Sequence, residues 1–208
     1  MPTRPLPPWP YPRWIAHRGA GRLAPENTLA AFRLGASHGY RMFECDAKLS
    51  ADGVVFLLHD ATLERTTNGH GTAGEQPWQQ LSLLDAGGWL SRSYAGEPLA
   101  TLSGLSRYCL ANGFHLNIEI KPTPGTERHT GEVVAREAAD LWQEAAVPPL
   151  LTSFRPQSLE GARAAGLRTL SYTVNDASVA THVLNLGTDG VITDRVDLFA
   201  PGFNGATS

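Results

Sequence analysis

The sequence is poor in cysteine, in net charge and in long apolar runs, and each shortage narrows the class of protein. Only two of the 208 residues are cysteines, Cys45 and Cys109, so we expect packed, reduced thiols rather than a disulfide framework. The formal net charge is −3, so no overall basic field attracts nucleic acid. No run approaches the roughly eighteen apolar residues of a membrane span. We therefore predict a protein with no nucleic-acid partner and no membrane insertion.

The first twelve residues have no apolar stretch of the kind that a secretory signal needs. Six of them are proline, which excludes a helix there. We therefore expect a cytoplasmic location. The whole chain, 42% hydrophobic and 18% charged, is long enough to bury a substantial core. One domain over residues 1–208 is the prediction.

Strand-like and helix-like segments mostly alternate along the chain, a pattern typical of α/β proteins. Residues 13–18 are expected to form the first strand, and either Asn27 or Thr28 is expected to cap the helix that follows. Residues 42–49 and 54–59 are strand-like and are separated only by a short turn. A parallel crossover needs about a dozen residues or more, so these two runs are predicted to form a hairpin.

Carboxylates recur at a spacing of two within or after strand-like runs. Glu44 and Asp46 share one face of an extended strand, and Glu119 and Lys121 repeat the spacing at the end of residues 115–120. Carboxylate oxygens suit Mg²⁺ or Ca²⁺. No cysteine and histidine cluster with zinc spacing is present. Each acid alone would more often form a surface salt bridge, but the repeated pattern favours a site for a divalent cation.

Two histidines and an arginine complete this set of chemical groups. His17 and His59 carry imidazoles, which titrate near neutral pH and serve as proton carriers, although each alone would more often be structural. Arg18 offers a planar fork for phosphate oxygens, and Lys121 offers a point charge. Together with the carboxylates, these residues indicate a metal-assisted phosphodiesterase.

The motifs also occur in a particular order. They are HRGAGRLAPENT (17–28), ECDAKL (44–49), VVFLLHDATLERTTNGHG (54–71), LNIEIKP (116–122), LLTSF (150–154), LSYTVND (170–176) and GVITDR (190–195). This series resembles the glycerophosphodiester phosphodiesterase family over nearly the whole chain, and most closely its bacterial cytoplasmic members. The resemblance implies an α/β, TIM-barrel-like fold and a divalent cation, Mg²⁺ or Ca²⁺. It also implies a small-molecule substrate such as glycerophosphocholine or glycerophosphoethanolamine, which would yield an alcohol and glycerol 3-phosphate.

The resemblance further implies a role for each matching residue. The expected proton carriers are His17 and His59. The expected metal ligands are Glu44, Asp46 and Glu119. The expected contacts to the substrate or its phosphate are Arg18, Lys121 and Tyr172.

Residues 61–102 are polar and glycine-rich and show no repeat of strand and helix. The segment resembles the small insertion that covers the mouth of the active site in the family, so we expect a lid. The alternative is a long surface loop with a cluster of aromatic side chains, Trp78, Trp89 and Tyr94.

The chain departs from the family pattern near residues 155–166, where about two strand–helix units are missing. Ser153 and Phe154 are followed by one helix and then directly by residues 167–174. A full eightfold barrel takes about 250 residues, roughly forty more than this chain has. We therefore expect an incomplete or distorted barrel, or a homodimer in which the barrel borrows strands from a second copy.

Two other functions fit the sequence. One is a lysophospholipase-D-type phosphodiesterase, which would need a wider apolar lid than the polar residues 61–74 suggest. The other is a non-catalytic phosphodiester-binding or assembly protein whose shortened barrel leaves the site open to water.

Overall fold

In the computed structural model, which describes residues 9–171 and 173–191, strands and helices alternate over much of the chain, as the sequence predicts. Within this part of the chain the helices are α1 Leu29–Ser37, α2 Trp78–Leu81, α3 Leu102–Asn112, α4 Glu127–Leu141, α5 Pro156–Ala162 and α6 Ala177–Asn185. The strands are β1 Met42–Leu49, β2 Val55–Leu57, β3 His115–Ile120, β4 Leu150–Ser153, β5 Thr169–Ser171 and β6 Gly190–Val191. Short 3₁₀ turns cover Ala73–Glu75, Arg92–Tyr94 and Arg163–Ala165.

The strands form one sheet in the order β2-β1-β3-β4-β5-β6. Strands β1 and β2 pair antiparallel, which confirms the predicted hairpin, and the other neighbours pair parallel. Among the described residues, β2 and β6 are the edges and the sheet does not close. The incomplete barrel expected from the missing strand–helix units is thus confirmed.

The first predicted strand, residues 13–18, is a single bridge rather than a strand. Ala16 pairs in parallel with Phe43, its N–H donates to the carbonyl of Met42 at 3.0 Å, and its own carbonyl accepts from the N–H of Glu44 at 2.9 Å. The prediction of a strand was wrong because Arg18 adopts a φ of +52°, which ends the extended backbone. This turn folds the chain back over the middle of β1.

The sheet has one apolar and one polar face, and both are buried. Phe43, Cys45 and Ala47 of β1 join Leu116 and Ile118 of β3 in the main core, beneath the helices. The alternate residues of the same strands carry charge or amide groups and are also buried: Glu44, Asp46, Lys48, Asn117 and Glu119. Because side chains alternate along a strand, one buried face can be apolar while the other concentrates charge. Cys45 and Cys109 are both free and buried, as expected.

Residues 61–102 pack with the β2 side of the hairpin in a small cluster. Seven buried apolar side chains make up this cluster: Phe56, Leu58, Leu63, Ala73, Leu81, Ala86 and Leu99. Trp78 packs against the cluster, whereas Trp89 is 39% exposed. The lid function of this segment and the single domain over residues 1–208 stay predictions.

The predicted gap in the barrel lies at a close contact between two helices. A Cβ added at Gly131 of α4 would lie 2.0 Å from the carbonyl oxygen of Ser158, and one added at Gly161 of α5 would lie 2.2 Å from that of Arg128. The backbones of α4 and α5 therefore touch, and only glycine fits at these positions. The 3₁₀ turn Arg163–Ala165 and Gly166, with a φ of +71°, then lead into β5.

Thr28 directly precedes helix α1, and its hydroxyl oxygen accepts a hydrogen bond from the N–H of Ala31 at 3.3 Å. Thr28 rather than Asn27 is therefore the N-cap. The helix packs closely on the loop after Ala16: a Cβ at Gly35 would lie 2.1 Å from the carbonyl oxygen of Gly19 and 2.9 Å from Cε1 of Phe43. This contact fixes the height of that loop above β1.

Gly35→Ala is expected to destabilise the protein by about 1–3 kcal/mol, since neither the Gly19 backbone nor the buried Phe43 ring can yield without disturbing the core. Urea unfolding of the variant, compared with Arg33→Ala on the exposed side of the same helix, measures the difference. Equal free energies of unfolding for Gly35→Ala and wild type would show that α1 can move away from the loop without loss.

Candidate active site

Three buried carboxylates meet where β1 and β3 run side by side. Glu44 and Asp46 come from β1, and the parallel register places Asp46 opposite Glu119 of β3. None of the three is more than 5% exposed. One oxygen atom from each lies within 4.8 Å of the others. The period-two spacing in β1 and the pairing with β3 thus assemble the triad that the sequence predicts.

The triad includes buried carboxylate oxygens that lack a hydrogen-bond donor in the described part of the chain. Burial, and then the charge of Asp46, raise the pKa of Glu44 well above its ordinary value. Glu44 Oε1 and Asp46 Oδ1 are buried, and no group in the described part of the chain donates a hydrogen bond to them. Buried oxygens of this kind need a partner, and a hard divalent cation is the partner that carboxylates accept most readily. The residues therefore fit a metal ion.

Two cationic side chains border the triad. The Nε atom of Arg18 lies 3.2 Å from Asp46 Oδ2, and the backbone N–H of Arg18 donates to Glu44 Oε2 at 2.9 Å. Lys121 Nζ lies 2.6 Å from Glu119 Oε1 and 3.7 Å from Asp46 Oδ1. Both cations are mostly buried, with 18% and 17% of their side chains exposed. An anion bound beside the triad would meet both of them.

Asn27 holds Asp46 by two hydrogen bonds. The Asn27 side-chain amide donates to Asp46 Oδ2 at 2.7 Å, and its carbonyl oxygen accepts from the Asp46 N–H at 3.0 Å. Asn27 has a φ of +61°, a conformation that asparagine tolerates better than most residues. Asn27, considered in the sequence only as a helix cap, instead orients a carboxylate of the triad.

His17 lies beside the triad at the end of the Ala16 bridge. Its Nε2 atom is 3.8 Å from Glu44 Oε2, and 65% of the side chain is exposed. Partial burial and the charge of Arg18 lower the pKa of His17, although nearby carboxylates act in the opposite sense. The exposed ring can reach a ligand above the triad.

His59 follows the hairpin at the level of the same triad, because the N–H of Leu58 donates to the carbonyl of Asp46 at 3.0 Å. His59 lines a cavity of about 640 Å³ together with Glu119 and Lys121. Its Nδ1 lies 2.7 Å from Asp60 Oδ1. Since an ionised carboxylate only accepts hydrogen bonds, Nδ1 carries the hydrogen, and Nε2 is left for chemistry.

Arg65 joins the carboxylate behind His59 to the loop that carries His17. Arg65 donates from Nε to Asp60 Oδ2 at 2.5 Å and from Nη2 to Asp60 Oδ1 at 3.0 Å. It also donates to both oxygens of Glu26 at 2.8 Å, and Glu26 accepts from Arg18 Nη1 at 2.9 Å. Arg65 is a site residue that sequence reasoning missed, because its partner Glu26 lies 39 residues away.

Arg65→Gln is expected to lower the melting temperature by about 2–4 °C near neutral pH, as for a modest charged network in a chain of this size. The hydrogen bonds from Arg65 are the main cause that lowers the pKa of Asp60. This stabilisation is therefore complete above the unfolded pKa of aspartate, about 3.9, and is lost as the pH falls through the lower folded value.

The difference between Arg65→Gln and wild type should accordingly shrink in acid. Calorimetric melting at a series of pH values measures it, with Arg92→Gln as a control in residues 61–102. A difference that stays constant down to strong acid would contradict the coupling between Arg65 and Asp60.

Lys48 is a second residue that sequence reasoning missed, although it follows Glu44 and Asp46 in the same period of two. It is 2% exposed, and its Nζ donates to the carbonyl of Lys121 at 3.1 Å. Burial, and then the charge of Lys121, lower the pKa of Lys48 to about 8. The alternation that identified the acids also identifies this cation.

The structure brings most of the predicted site residues to one region of the sheet. Tyr172, an expected substrate contact, lies outside the described residues. The others surround the triad or belong to it, and their chemical roles stay predictions: His17, Arg18, Glu44, Asp46, His59, Glu119 and Lys121.

The chain matches one protein family over most of its length. The model of the glycerophosphoryl diester phosphodiesterase family matches residues 17–161 and 138–198. The chain belongs to this family. The change from one matched segment to the other falls between residues 138 and 161, within the region of α4 and α5. This glycerophosphoryl diester phosphodiesterase family member therefore departs from the continuous family pattern in the same part of the chain as the sequence predicts.

Two bacterial relatives are similar to this chain to different extents. A glycerophosphodiester phosphodiesterase of Caldanaerobacter subterraneus is 28% identical over 225 positions, which cover 86% of this chain and 93% of the relative. Since the aligned positions outnumber the 208 residues of this family member, the relative contains residues that the chain lacks. A Bacillus subtilis protein, provisionally named as a glycerophosphodiester phosphodiesterase, is 40% identical over 126 residues, or 59% of this chain. The matched region spans about half of that relative, 51% of its length.

A solved structure supports the fold of this family member. A phosphodiesterase of Oleispira antarctica, in complex with the product sn-glycerol-3-phosphate, matches with a TM-score of 0.67 and 29% identity. The match covers 88% of this chain and 93% of that chain. The TIM-barrel-like α/β fold is thus confirmed, here with an open sheet. Over the described ranges 9–171 and 173–191, no helix is both long enough and apolar enough to cross a bilayer.

Proposed function

We propose that the protein hydrolyses glycerophosphodiesters, such as glycerophosphocholine or glycerophosphoethanolamine, to an alcohol and glycerol 3-phosphate, with Mg²⁺ or Ca²⁺ as the cofactor. The observation that carries the proposal is the buried triad with its unsatisfied oxygens, Glu44 Oε1 and Asp46 Oδ1. Membership of the family supports the reaction. The complex of the Oleispira relative with sn-glycerol-3-phosphate supports the product.

The triad and its cations would bind the phosphate. Glu44, Asp46 and Glu119 would hold the metal ion, which when bound supplies positive charge to the phosphate oxygens. Lys121 would add a point charge on the same group. Arg18 would donate to the phosphate oxygens from the guanidinium N–H groups that are not used in its contacts with Glu26 and Asp46. These fixed positive charges are arranged before the substrate arrives, which favours the charge that develops at phosphorus.

The two histidines would divide the proton transfers. Asp60 fixes the ring of His59 through Nδ1 and leaves Nε2 to protonate the departing alkoxide, so His59 suits the general acid. His17, above Glu44, would then remove the proton from the attacking oxygen. If the neighbouring glycerol hydroxyl attacks, a cyclic phosphate forms and water opens it. If water attacks, glycerol 3-phosphate forms at once.

The two other functions have less support. A lysophospholipase-D-type enzyme needs an apolar channel for an acyl chain, but Lys48, Lys121 and Arg155 interrupt the apolar part of the cavity wall. The apolar side chains of residues 61–102 pack in their own cluster instead. A non-catalytic binding protein would not need His59 oriented by a carboxylate.

The open sheet supports the expected homodimer as part of this proposal. Trp14 and Ile15, 74% and 39% exposed, precede the Ala16 bridge, and a second copy would cover them. Sedimentation equilibrium tests this, and a monomer at micromolar concentration would contradict it. The expected cytoplasmic location also belongs to the proposal.

Release of glycerol 3-phosphate from glycerophosphocholine tests the reaction. The assay compares Mg²⁺, Ca²⁺ and EDTA, with His17→Ala alongside, and chromatography shows whether a cyclic phosphate accumulates. Turnover that needs the cation and is lost in His17→Ala is the expected result. No turnover from folded protein saturated with the cation would favour the binding or assembly function.

A further inference from the structure

The cavity beside the triad carries more positive charge than one phosphodiester needs. Among the described residues, three cations line its 640 Å³: Lys48, Lys121 and Arg155. In the proposed function, the metal ion, Lys121 and Arg18 together already match the charges of the three carboxylates and the phosphate. Lys48 and Arg155 are therefore additional cations in a cavity where Glu119 is the acid among the described residues of the wall.

The aromatic ring at the mouth of this cavity is already paired with a cation. Phe154 lines the cavity and is 49% exposed. Lys121 Nζ lies 5.1 Å from the centroid of its ring. A quaternary ammonium group such as that of choline would seek the same ring face, where it would meet the charge of Lys121. The mouth therefore favours a cationic alcohol less than a neutral or an anionic one.

Arg155 is held at the end of β4. Its backbone N–H donates to the hydroxyl of Ser153 at 3.1 Å, and α5 begins at the next residue. The nearby Glu127 has a pKa lowered by its own N–H, by that of Gly125 and, less strongly, by Arg155. Glu127 is partly exposed, so solvent and salt weaken its attraction to Arg155. The guanidinium can thus exchange this partner for an anion on a ligand.

We infer that the cavity selects glycerophosphodiesters whose alcohol carries a negative charge, with Arg155 as the residue that contacts this charge and Lys48 as a buried cation that adds to the attraction. This inference rests on the proposed function and specifies its substrate class, alcohols that bear a carboxylate or phosphate group. Neither residue belongs to the triad or to the pair of histidines. The selection arises because an anionic alcohol gains attraction from both cations, whereas a neutral alcohol of equal size gains none.

Two matched diesters of glycerol 3-phosphate test the inference, one with 4-hydroxybutyrate and one with 4-hydroxybutyramide. The two alcohols have the same length and similar hydroxyl groups but differ by one charge. We expect kcat/KM for the carboxylate to exceed that for the amide by about fivefold to tenfold at low salt, and less at high salt. The choline diester, as a third substrate, should be slower than the amide.

Variants assign the selectivity to residues. Arg155→Gln and Lys48→Met should each move the ratio of the two kcat/KM values towards one. Arg107→Gln removes a cation from α3 that does not line the cavity, so it should keep the ratio. If Lys48→Met fails to fold, Arg155→Gln still decides. An unchanged ratio in Arg155→Gln would overturn its role.

Binding separates failure of this inference from failure of the proposed function. Calorimetry with His17→Ala and Mg²⁺ measures the affinity for the same diesters without turnover. Tighter binding of the carboxylate diester than of the amide supports the inference even if no diester is hydrolysed. Equal affinities, or equal kcat/KM values with active wild-type protein, overturn the inference while hydrolysis itself stands.

Discussion

His59→Ala is expected to lower kcat on glycerophosphocholine by about 10²–10⁴-fold, the range typical of a lost general acid. The reason is the position of the ring: Asp60 fixes Nδ1 at 2.7 Å, and Nε2 is left to give its proton to the departing alkoxide. Without that proton, choline would have to depart as an alkoxide, which is a poor leaving group. Steady-state kinetics at saturating Mg²⁺ measures the loss.

The leaving group distinguishes this role from a structural one. A diester with p-nitrophenol releases a stable phenolate that needs little protonation, so His59→Ala should lose far less activity on it. His17→Ala should be impaired on both substrates, because the attacking oxygen still has to lose its proton. Equal losses of His59→Ala on both substrates would show that His59 is not the general acid.

Glu44→Gln is expected to remove most of the stabilisation that a bound cation gives to the fold. At a cation concentration 100 times its Kd, wild type should gain about 2.7 kcal/mol, which corresponds to roughly 5–10 °C in melting temperature for a chain of this size. The variant keeps an acceptor for the Arg18 N–H but loses the anionic ligand, so it should gain little at the same concentration.

Without a cation, in EDTA, Glu44→Gln is expected to be at least as stable as wild type. Burial and the charge of Asp46 disfavour the ionised form of Glu44, so a neutral amide at this position should be tolerated at least as well as the carboxylate. Melting curves with and without cation measure both effects, with Glu144→Gln on the exposed surface as the control. A variant that gains as much from Mg²⁺ or Ca²⁺ as wild type would exclude Glu44 as a ligand.

The sequence predicts those parts of the fold and site that depend on neighbours along the chain. The short turn after β1 dictates the hairpin, and the spacing of Glu44 and Asp46 dictates their shared face. The missing residues near 155–166 predict an open sheet, which the structure has. The prediction of a strand at residues 13–18 was wrong because nothing in the local sequence pattern indicates the left-handed backbone conformation of Arg18.

Contacts between distant segments were beyond prediction from spacing. Asn27 meets Asp46 across 19 residues, and Arg65 meets Glu26 across 39. Both contacts exist only after the Arg18 turn and the hairpin have brought their segments together. Lys48 is different, since the alternation already placed it beside the acids, but a buried lysine is rare enough that sequence reasoning passed over it.

The glycine contact between α4 and α5 packs the helices before and after β4 directly together in the shortened barrel, whose described sheet keeps β2 and β6 as open edges. Gly131 and Gly161 let the two helices seal against each other, while the triad comes entirely from strands earlier in the chain. For protein engineering, the turn at Arg163–Gly166 is therefore a natural insertion point. Strand–helix units added there would extend the wall of the barrel and leave the chemistry on β1 and β3 in place.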